Sequence, residues 1–191
     1  MNSYFKSIQD LTQDKFWINN VTGKKAKLAI EAGTTRCTQN PSYVPDVTLD
    51  GQLIDSMTVH LVRNPERFDV VVATNFYGDI LSDLASELAG SIGLAGSIMA
   101  SETHCCAQAQ HGSAPDIAGK DLANPTSMIL SVSMLLDWMA EKNNYPLLSL
   151  AAKEIEAAVD QVLMNPNSRT LDLGGQIGCK EFGMRIAAML K

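Results

Sequence analysis

Two aspartates at helical spacing are the first residues whose types and positions point to chemistry. Asp79 and Asp83 stand four residues apart in the segment Asn75–Gly90, which predicts a strand end and a glycine turn leading into a helix that begins near Asp79. Carboxylates on one helical face repel each other unless a cation lies near them. A divalent metal site is favoured over the alternative, an exposed acidic face at a helix start, because four apolar residues surround the pair: Ile80, Leu81, Leu84 and Leu88.

A loop rich in glycine and proline, His111–Pro125, is the second candidate site. Glycine lets a ligand approach the main chain closely, and proline stiffens the loop. Asn124 and Pro125 precede a long apolar run, which predicts Asn124 as the N-cap of a buried helix whose first residue is Pro125. A rigid loop ahead of a buried helix is a common way to build a binding surface, and a purely structural loop is the alternative.

The overall charge argues against several classes of partner. The 191 residues carry a net charge of −6, and the sequence pI is about 5.0. Such a chain is a poor match for nucleic acid or an anionic membrane surface. No apolar segment is long enough to span a bilayer and no secretory signal is visible, so the sequence predicts a cytoplasmic protein, with an organellar matrix as the other option.

The four cysteines of the sequence do not form a recognisable metal or disulfide pattern. They lie at positions 37, 105, 106 and 179, and they show neither CxxC nor Cys/His spacing. Free thiols in a reducing compartment are the expectation.

The elements that must hold these residues predict an α/β fold. Apolar periodicity predicts helices over 51–62, 125–140, 147–164 and 179–190. The β-branched run 68–74 predicts a strand buried on both faces. The glycine-rich stretch 90–97 lacks the spacing of a dinucleotide fingerprint and is expected to bend the chain between domains. The stretch 98–109 has no regular pattern, and His104–Cys106 is expected in a surface loop.

Three blocks taken together resemble the isocitrate/isopropylmalate dehydrogenase family. They are Asn75–Asp83, His111–Pro125 and Arg169–Gly175, and their order and spacing match over roughly Val44–Leu190. The resemblance implies hydride transfer to NAD and oxidative decarboxylation of a 2-hydroxy acid of the 3-isopropylmalate or isocitrate type, with Mg²⁺ or Mn²⁺ as the metal. The choice among isopropylmalate, isocitrate, homoisocitrate and tartrate or malate stays open.

The resemblance gives three aspartates a metal. Asp79 and Asp83 match the family's metal-binding pair, and Asp55 matches a third aspartate that the family supplies to the neighbouring subunit's site. Ser56 follows Asp55 where the family usually has Asn. The cation would chelate the substrate's 2-hydroxyl and carboxylate and lower the pKa of that hydroxyl.

The resemblance also gives the loop a cofactor. Asp116 stands where NAD-dependent members carry an acid that accepts bonds from the adenosine ribose, and a carboxylate there would repel the 2′-phosphate of NADP. His111 and Asn124 would contact the adenine end. The full set of expected cofactor contacts is His111, Gly112, Ser113, Ala114, Pro115, Asp116, Ile117 and Asn124.

Two further residues have counterparts in the family. The catalytic lysine, which the family donates across a dimer, corresponds to Lys25 or to the neighbouring Lys24, although Lys27 stands where the family prefers Asn. Asp172 lies in the Arg169–Gly175 block, where a scaffolding role is favoured over a catalytic one.

The resemblance covers only the C-terminal part of the family fold, a parallel or mixed sheet flanked by helices. Residues 1–20 are unassigned, 21–90 are expected to be a remnant of the dimerisation and metal-substrate domain, and 91–191 the C-terminal part of the NAD-binding domain. The missing part would supply substrate-binding arginines and a general-acid tyrosine. We expect a truncated member with impaired activity alone, in a homodimer or a hetero-oligomer with a family member. A non-catalytic partner of a full-length paralogue and a non-functional fragment are the alternatives.

Overall fold

The computed structural model describes residues 51–68 and 70–190, together with two short strands near the start of the chain. The chain divides into two compact units. The first comprises Met1–Leu88 and Met99–His104, and the second comprises Ala89–Ile98 and Cys105–Lys191. The roles expected for the domains 21–90 and 91–191 stay predictions.

The first unit contains a mixed three-stranded sheet. Its strands are β1 (Trp17–Asn19), β2 (Arg36–Thr38) and β3 (Val71–Ala73), in the order β2-β1-β3. β1 pairs with β2 in parallel and with β3 antiparallel, so that Trp17 stands opposite both Arg36 and Ala73. The strand predicted over 68–74 is shorter than expected, because Phe68 is the cap residue of a 3-10 turn over Pro65–Arg67 on one side and a helix begins at Asn75 on the other. All three residues of β3 are half-buried, so the prediction of burial on both faces was wrong.

Two helices are also described in this unit. α1 covers Ile54–Arg63, close to the predicted 51–62, and α2 covers Asn75–Leu88. α2 begins four residues before the predicted start, because Gly78 N donates to Thr74 O at 2.7 Å and closes a helical turn where a glycine turn was expected. The helices pack around a small core of buried residues, Met57, Leu61 and Leu81.

The second unit contains three helices and most of a hairpin among its described residues, and the end of β4 and the turn of that hairpin, Met99–His104, are assigned to the first unit. The strands β4 (Gly96–Ala100) and β5 (Cys105–Ala109) pair with each other. The expectation of an irregular stretch over 98–109 was wrong. The strands have few β-branched residues, so side-chain type gave no signal. Ser101 N donates to His104 O at 2.7 Å and closes the turn, while Cys105 already belongs to β5.

The three helices of this unit are close to their predicted ranges. α3 covers Thr126–Asn143, α4 covers Pro146–Met164, and α5 covers Cys179–Met189. α4 and α5 supply the apolar core together with Ile177, which lies just before α5, because the amphipathic faces of the two helices bury residues at helical spacing. The core residues are Ala158, Val159, Val162, Ile177, Phe182 and Ile186.

Helix α3 is buried in a way that apolar periodicity did not predict. Its fully buried residues are hydroxyl-bearing: Thr126, Ser127, Ser131 and Ser133. Ser127 Oγ donates to Ala95 O at 2.5 Å and accepts from Gln110 N at 3.2 Å. Ser131 Oγ donates to Gln108 O at 2.7 Å and accepts from Ser97 N at 2.9 Å. These bonds join α3 to the strand that leads into the His111–Pro125 loop.

No helix among residues 51–68 and 70–190 is both long enough and apolar enough to cross a membrane. Cys105, Cys106 and Cys179 are free thiols, as expected.

Candidate functional site

The His111–Pro125 loop has a compact local structure in which five of the eight predicted cofactor residues are exposed. A 3-10 turn covers Pro115–Ile117, and it follows Ala114 in the left-handed region at φ 41° and ψ 61°. Ile117 N donates to Ala114 O and Lys120 N donates to Ile117 O, each at 3.1 Å. Gly112, Ser113, Ala114, Pro115 and Asp116 are exposed, whereas His111 and Ile117 are half-buried.

Two glycines leave open space over the loop. A Cβ built at Gly112 or at Gly119 would meet nothing within 4 Å. Gly119 also has φ +75°, a conformation that favours glycine. A ligand can therefore reach the main chain at both positions. At the upstream end, His111 Nδ1 lies 2.9 Å from Gly112 O, an arrangement in which the ring nitrogen donates.

Asn124 forms the buried end of the loop. Its Oδ1 accepts from Thr126 N at 3.0 Å, and its Nδ2 donates to Asp172 at 2.9 Å. As predicted, the Asn124 side chain accepts a hydrogen bond from a backbone N–H at the start of the helix. The helix begins one residue later than predicted, because Pro125 is the cap residue and α3 begins at Thr126. The Nδ2 amide has two N–H groups, and the bond to Asp172 uses one of them.

Asp172 is the centre of a cluster that joins three chain segments of the second unit. Its carboxylate accepts from Ser91 Oγ at 2.5 Å, from Thr170 Oγ1 at 2.5 Å and from Asn124. Burial by itself would raise the pKa of Asp172, but these three bonds and its own backbone N–H hold that pKa below its ordinary value. The expected scaffolding role agrees with this geometry.

Asp121 links the loop to helix α5, a role that the sequence did not reveal. Its carbonyl accepts from Cys179 N at 3.1 Å, and its Oδ1 accepts from Lys180 N at 2.8 Å. Asp121 therefore caps the first turn of α5 from a distant part of the chain. Its φ of 58° is unusual for a residue other than glycine, although aspartate tolerates this region. Burial, and then the neighbouring Asp121 charge, raise the pKa of the Cys179 thiol.

The predicted metal carboxylates all lie on helices of the first unit. Asp79 and Asp83 are exposed on α2, one turn apart, and Asp55 is exposed in the first turn of α1. Within the described stretches, no three His, Cys, Asp or Glu side chains gather closely enough to hold one ion. A single chain therefore brings together no complete metal centre among these residues.

The apolar surroundings expected around the aspartate pair were wrong in part. Ile80 and Leu88 are 44% and 47% exposed, and only Leu81 of the four apolar neighbours is buried. The reason is that Leu81 packs against α1, while the other side of α2 is open in the described structure. The metal role of the pair stays a prediction. Lys25 lies outside the described residues, and its catalytic role stays a prediction as well.

The chain belongs to the isocitrate/isopropylmalate dehydrogenase family, whose sequence model matches residues 7–186. The match reaches further upstream than the blocks from Val44 onward indicated. The match includes residues 7–20, which had been left unassigned because they carry no recognisable motif.

Among curated relatives, the isocitrate/homoisocitrate dehydrogenase of Thermus thermophilus is 47% identical over 147 residues, which are 77% of this chain and 42% of that protein. The 3-isopropylmalate dehydrogenase of Saccharolobus solfataricus is 44% identical over 135 residues, which are 71% of this chain and 40% of that protein. The chain thus spans about two fifths of the length of these relatives.

A solved structure supports the fold directly. The crystal structure of isocitrate dehydrogenase from Methylococcus capsulatus matches with a TM-score of 0.67 and 29% identity, and the match covers 98% of this chain and 54% of that one. The predicted α/β fold of the family is therefore confirmed, with the chain covering part of it.

Proposed function

We propose that the chain carries the adenosine-binding loop and the metal carboxylates of an NAD-dependent dehydrogenase. The reaction is the oxidative decarboxylation of a 2-hydroxy acid of the 3-isopropylmalate or isocitrate type, with Mg²⁺ or Mn²⁺. The observation that carries this proposal is the His111–Pro125 loop, which is open to a ligand at Gly112 and Gly119 and anchored at Asn124.

The loop residues fit the adenosine end of NAD. Asp116 is exposed in the 3-10 turn, where its carboxylate is able to accept from the two ribose hydroxyls. The same negative charge would repel a phosphate on the ribose, which favours NAD over NADP. His111 and the remaining N–H of Asn124 lie at the two ends of the loop, where they would contact the base.

The exposed carboxylates fit a hard divalent cation. Asp79 and Asp83 would hold it, because carboxylate oxygens are the ligands that Mg²⁺ and Mn²⁺ prefer. When bound, the metal polarises the substrate hydroxyl and the carbonyl that forms from it. Asp55 would serve the site of a neighbouring subunit, in line with the incomplete set of ligands in the described part of one chain. Lys25 is proposed as the proton-transferring residue.

Exposed apolar residues on α1 and α2 support assembly with a second subunit. Val62 on α1 and Phe76 on α2 are 56% and 69% exposed. Large apolar side chains that face water on adjacent helices are typical of a subunit interface. A homodimer, or a hetero-oligomer with another family member, would cover them. The same observation favours the second candidate function, a non-catalytic subunit that pairs with a full-length paralogue.

Turnover separates these functions. The purified chain is mixed with isocitrate or 3-isopropylmalate, NAD and Mg²⁺, and NADH is followed at its absorbance maximum. We expect slow or no turnover by the chain alone and turnover above that of the partner when a full-length family member is added. Asp83→Asn should remove the added activity, and Asp160→Asn, an exposed helical aspartate outside the site, should preserve it.

A chain that pairs with the full-length member and adds no activity would support the non-catalytic subunit. A chain that neither pairs with the full-length member nor binds NAD would support the third alternative, a non-functional fragment.

A further inference from the structure

We propose that Asp172 is a positioning residue that orients Asn124 and, through Asn124, the His111–Pro125 loop. NAD affinity would then depend on a carboxylate that does not itself touch NAD. This inference rests on the proposed NAD-binding function. It is carried by the hydrogen bonds around Asp172, by the close packing at Gly93 and by the chemistry of the Asn124 amide.

The carboxylate joins segments that are far apart in sequence. Oδ2 accepts from Ser91 Oγ at 2.5 Å and from Asn124 Nδ2 at 2.9 Å, and Oδ1 accepts from Thr170 Oγ1 at 2.5 Å. Bonds to an ionised acceptor are stronger than bonds between neutral groups. Asp172 is thus the common acceptor for the segment before β4, the end of the loop and the segment before α5.

The Asn124 amide is fixed by partners of opposite type. A carboxylate only accepts hydrogen bonds, so it selects the amide nitrogen of Asn124. Thr126 N only donates, so it selects the amide oxygen, which it meets at 3.0 Å. The two partners together determine which way the amide faces. Without Asp172 one of these restraints is lost, and a buried donor is left without a partner.

Packing leaves little room for Asn124 to adopt another position. A Cβ built at Gly93 would lie 2.8 Å from Asn124 Cβ and 3.2 Å from Asp172 Oδ2. Gly93 N also donates to Ser91 Oγ at 3.0 Å, which ties the glycine to the same cluster. The Asn124 side chain is buried. We therefore expect a substitution at Asp172 to displace Asn124, and with it the end of the His111–Pro125 loop.

A double-mutant cycle on the full chain distinguishes positioning from direct contact. NAD is titrated calorimetrically into wild type, Asp172→Ala, Asn124→Ala and the double variant. We expect Asp172→Ala to weaken NAD binding by about tenfold or more, and to add nothing in the Asn124→Ala background. Independent effects that multiply in the double variant would overturn the proposal, as would an unchanged affinity in Asp172→Ala.

Asp172→Asn keeps the shape and an acceptor oxygen, so it should recover most of the lost affinity. Asp160→Asn, exposed on α4, is the matched control and should bind NAD like wild type. If Asp172→Ala does not fold, Thr170→Val and Asp172→Asn complete the test. Thr170→Val removes a bond to Asp172 without touching the loop, and its effect should also vanish in the Asn124→Ala background.

Hydrogen exchange separates this inference from the proposed function. In Asp172→Ala, amides of the His111–Pro125 loop should exchange faster, while those of α4 remain as in wild type. If wild type fails to bind NAD, the proposed function fails, and faster exchange confined to the loop would still support the positioning role. Unchanged exchange in the loop would reject that role whatever the NAD result.

Discussion

At the scale of single residues, Asp172 gives the protein a defined response to acid. Its pKa lies below the ordinary value in the folded chain, because its hydrogen bonds outweigh the effect of burial. A carboxyl of this kind stabilises the fold above its unfolded pKa, and the stabilisation is lost as the pH falls through the lower folded pKa. We therefore predict a Tm that decreases from about pH 5 to about pH 3, with a smaller decrease in Asp172→Asn. Circular dichroism melting at each pH measures this.

Asp160→Asn is the control for general acid effects, and its Tm should follow pH as wild type does. An Asp172→Asn protein whose Tm has the same dependence on pH as wild type would show that the Asp172 hydrogen bonds do not stabilise the fold.

Two glycines of the second unit should respond to substitution in opposite directions. Gly93→Ala places a Cβ 2.8 Å from Asn124 Cβ, so the close-packed cluster must shift, at a cost of about 1–3 kcal/mol in the free energy of unfolding. Gly183→Ala lies inside α5 with nothing within 4 Å of its Cβ. It should stabilise by about 0.5–1 kcal/mol, because alanine has the higher helix propensity. Urea unfolding measures both, and a neutral Gly93→Ala would contradict the packing.

The sequence indicated which residues belong to the candidate site better than it indicated their hydrogen-bond partners. The block around Asp116 was identified from its glycines and prolines, and the scaffolding role of Asp172 was favoured. The contacts of Asp121 with Cys179 and Lys180 were missed because they join positions about sixty residues apart, and no local pattern marks such a pair. Long-range hydrogen bonds depend on the path of the whole chain, which the local sequence does not contain.

At the scale of elements, helix α5 depends on a cap from outside its own sequence. Gly178 precedes the helix and makes no side-chain cap, so Asp121 meets the first N–H groups. We predict that Asp121→Ala lowers the free energy of unfolding by about 1 kcal/mol or more, since it removes the cap and places alanine at φ 58°. Asp121→Asn should be milder because asparagine keeps an acceptor oxygen and tolerates that conformation. Equal losses in the two variants would contradict a capping role.

The elements that the sequence predicted well are those whose faces differ in polarity. α1, α4 and α5 were placed to within a few residues because their buried positions are apolar and recur at helical spacing. The range of α3 was predicted correctly, but its buried face was not. Its buried serines donate hydrogen bonds to the carbonyls of Ala95 and Gln108 and to a carbonyl of the helix itself. A hydropathy pattern does not register a polar group that is buried with its partner.

At the scale of the whole molecule, family membership offers one reason why exposed apolar helix residues and an incomplete set of metal ligands occur in the same chain. The chain matches about two fifths of the length of its curated relatives, and the carboxylates proposed to bind metal and several apolar residues of α1 and α2 are exposed in the described structure. A second subunit would supply ligands and cover apolar area at once. The three motif blocks together identified the family, whereas the match over residues 7–20 was not predicted because no motif was recognised there.

Assembly can be tested without any substrate. We predict that the chain is a dimer in solution and that Val62→Glu shifts it towards the monomer, because a charge would be buried in the interface. Light scattering coupled to size exclusion measures the mass. Asp160→Asn should leave the dimer intact. A wild-type chain that is monomeric at all concentrations, alone and with a full-length family member, would contradict the assembly.

The most direct test of the central claim is a side-by-side titration of the folded wild-type chain with NAD and with NADP. We predict measurable NAD binding and an NADP affinity about tenfold or more weaker, because the Asp116 carboxylate would face the 2′-phosphate. Asp116→Ala should weaken NAD binding and reduce the difference in affinity between NAD and NADP. A well-folded protein that binds neither cofactor, or that binds NADP as tightly as NAD, would contradict the account.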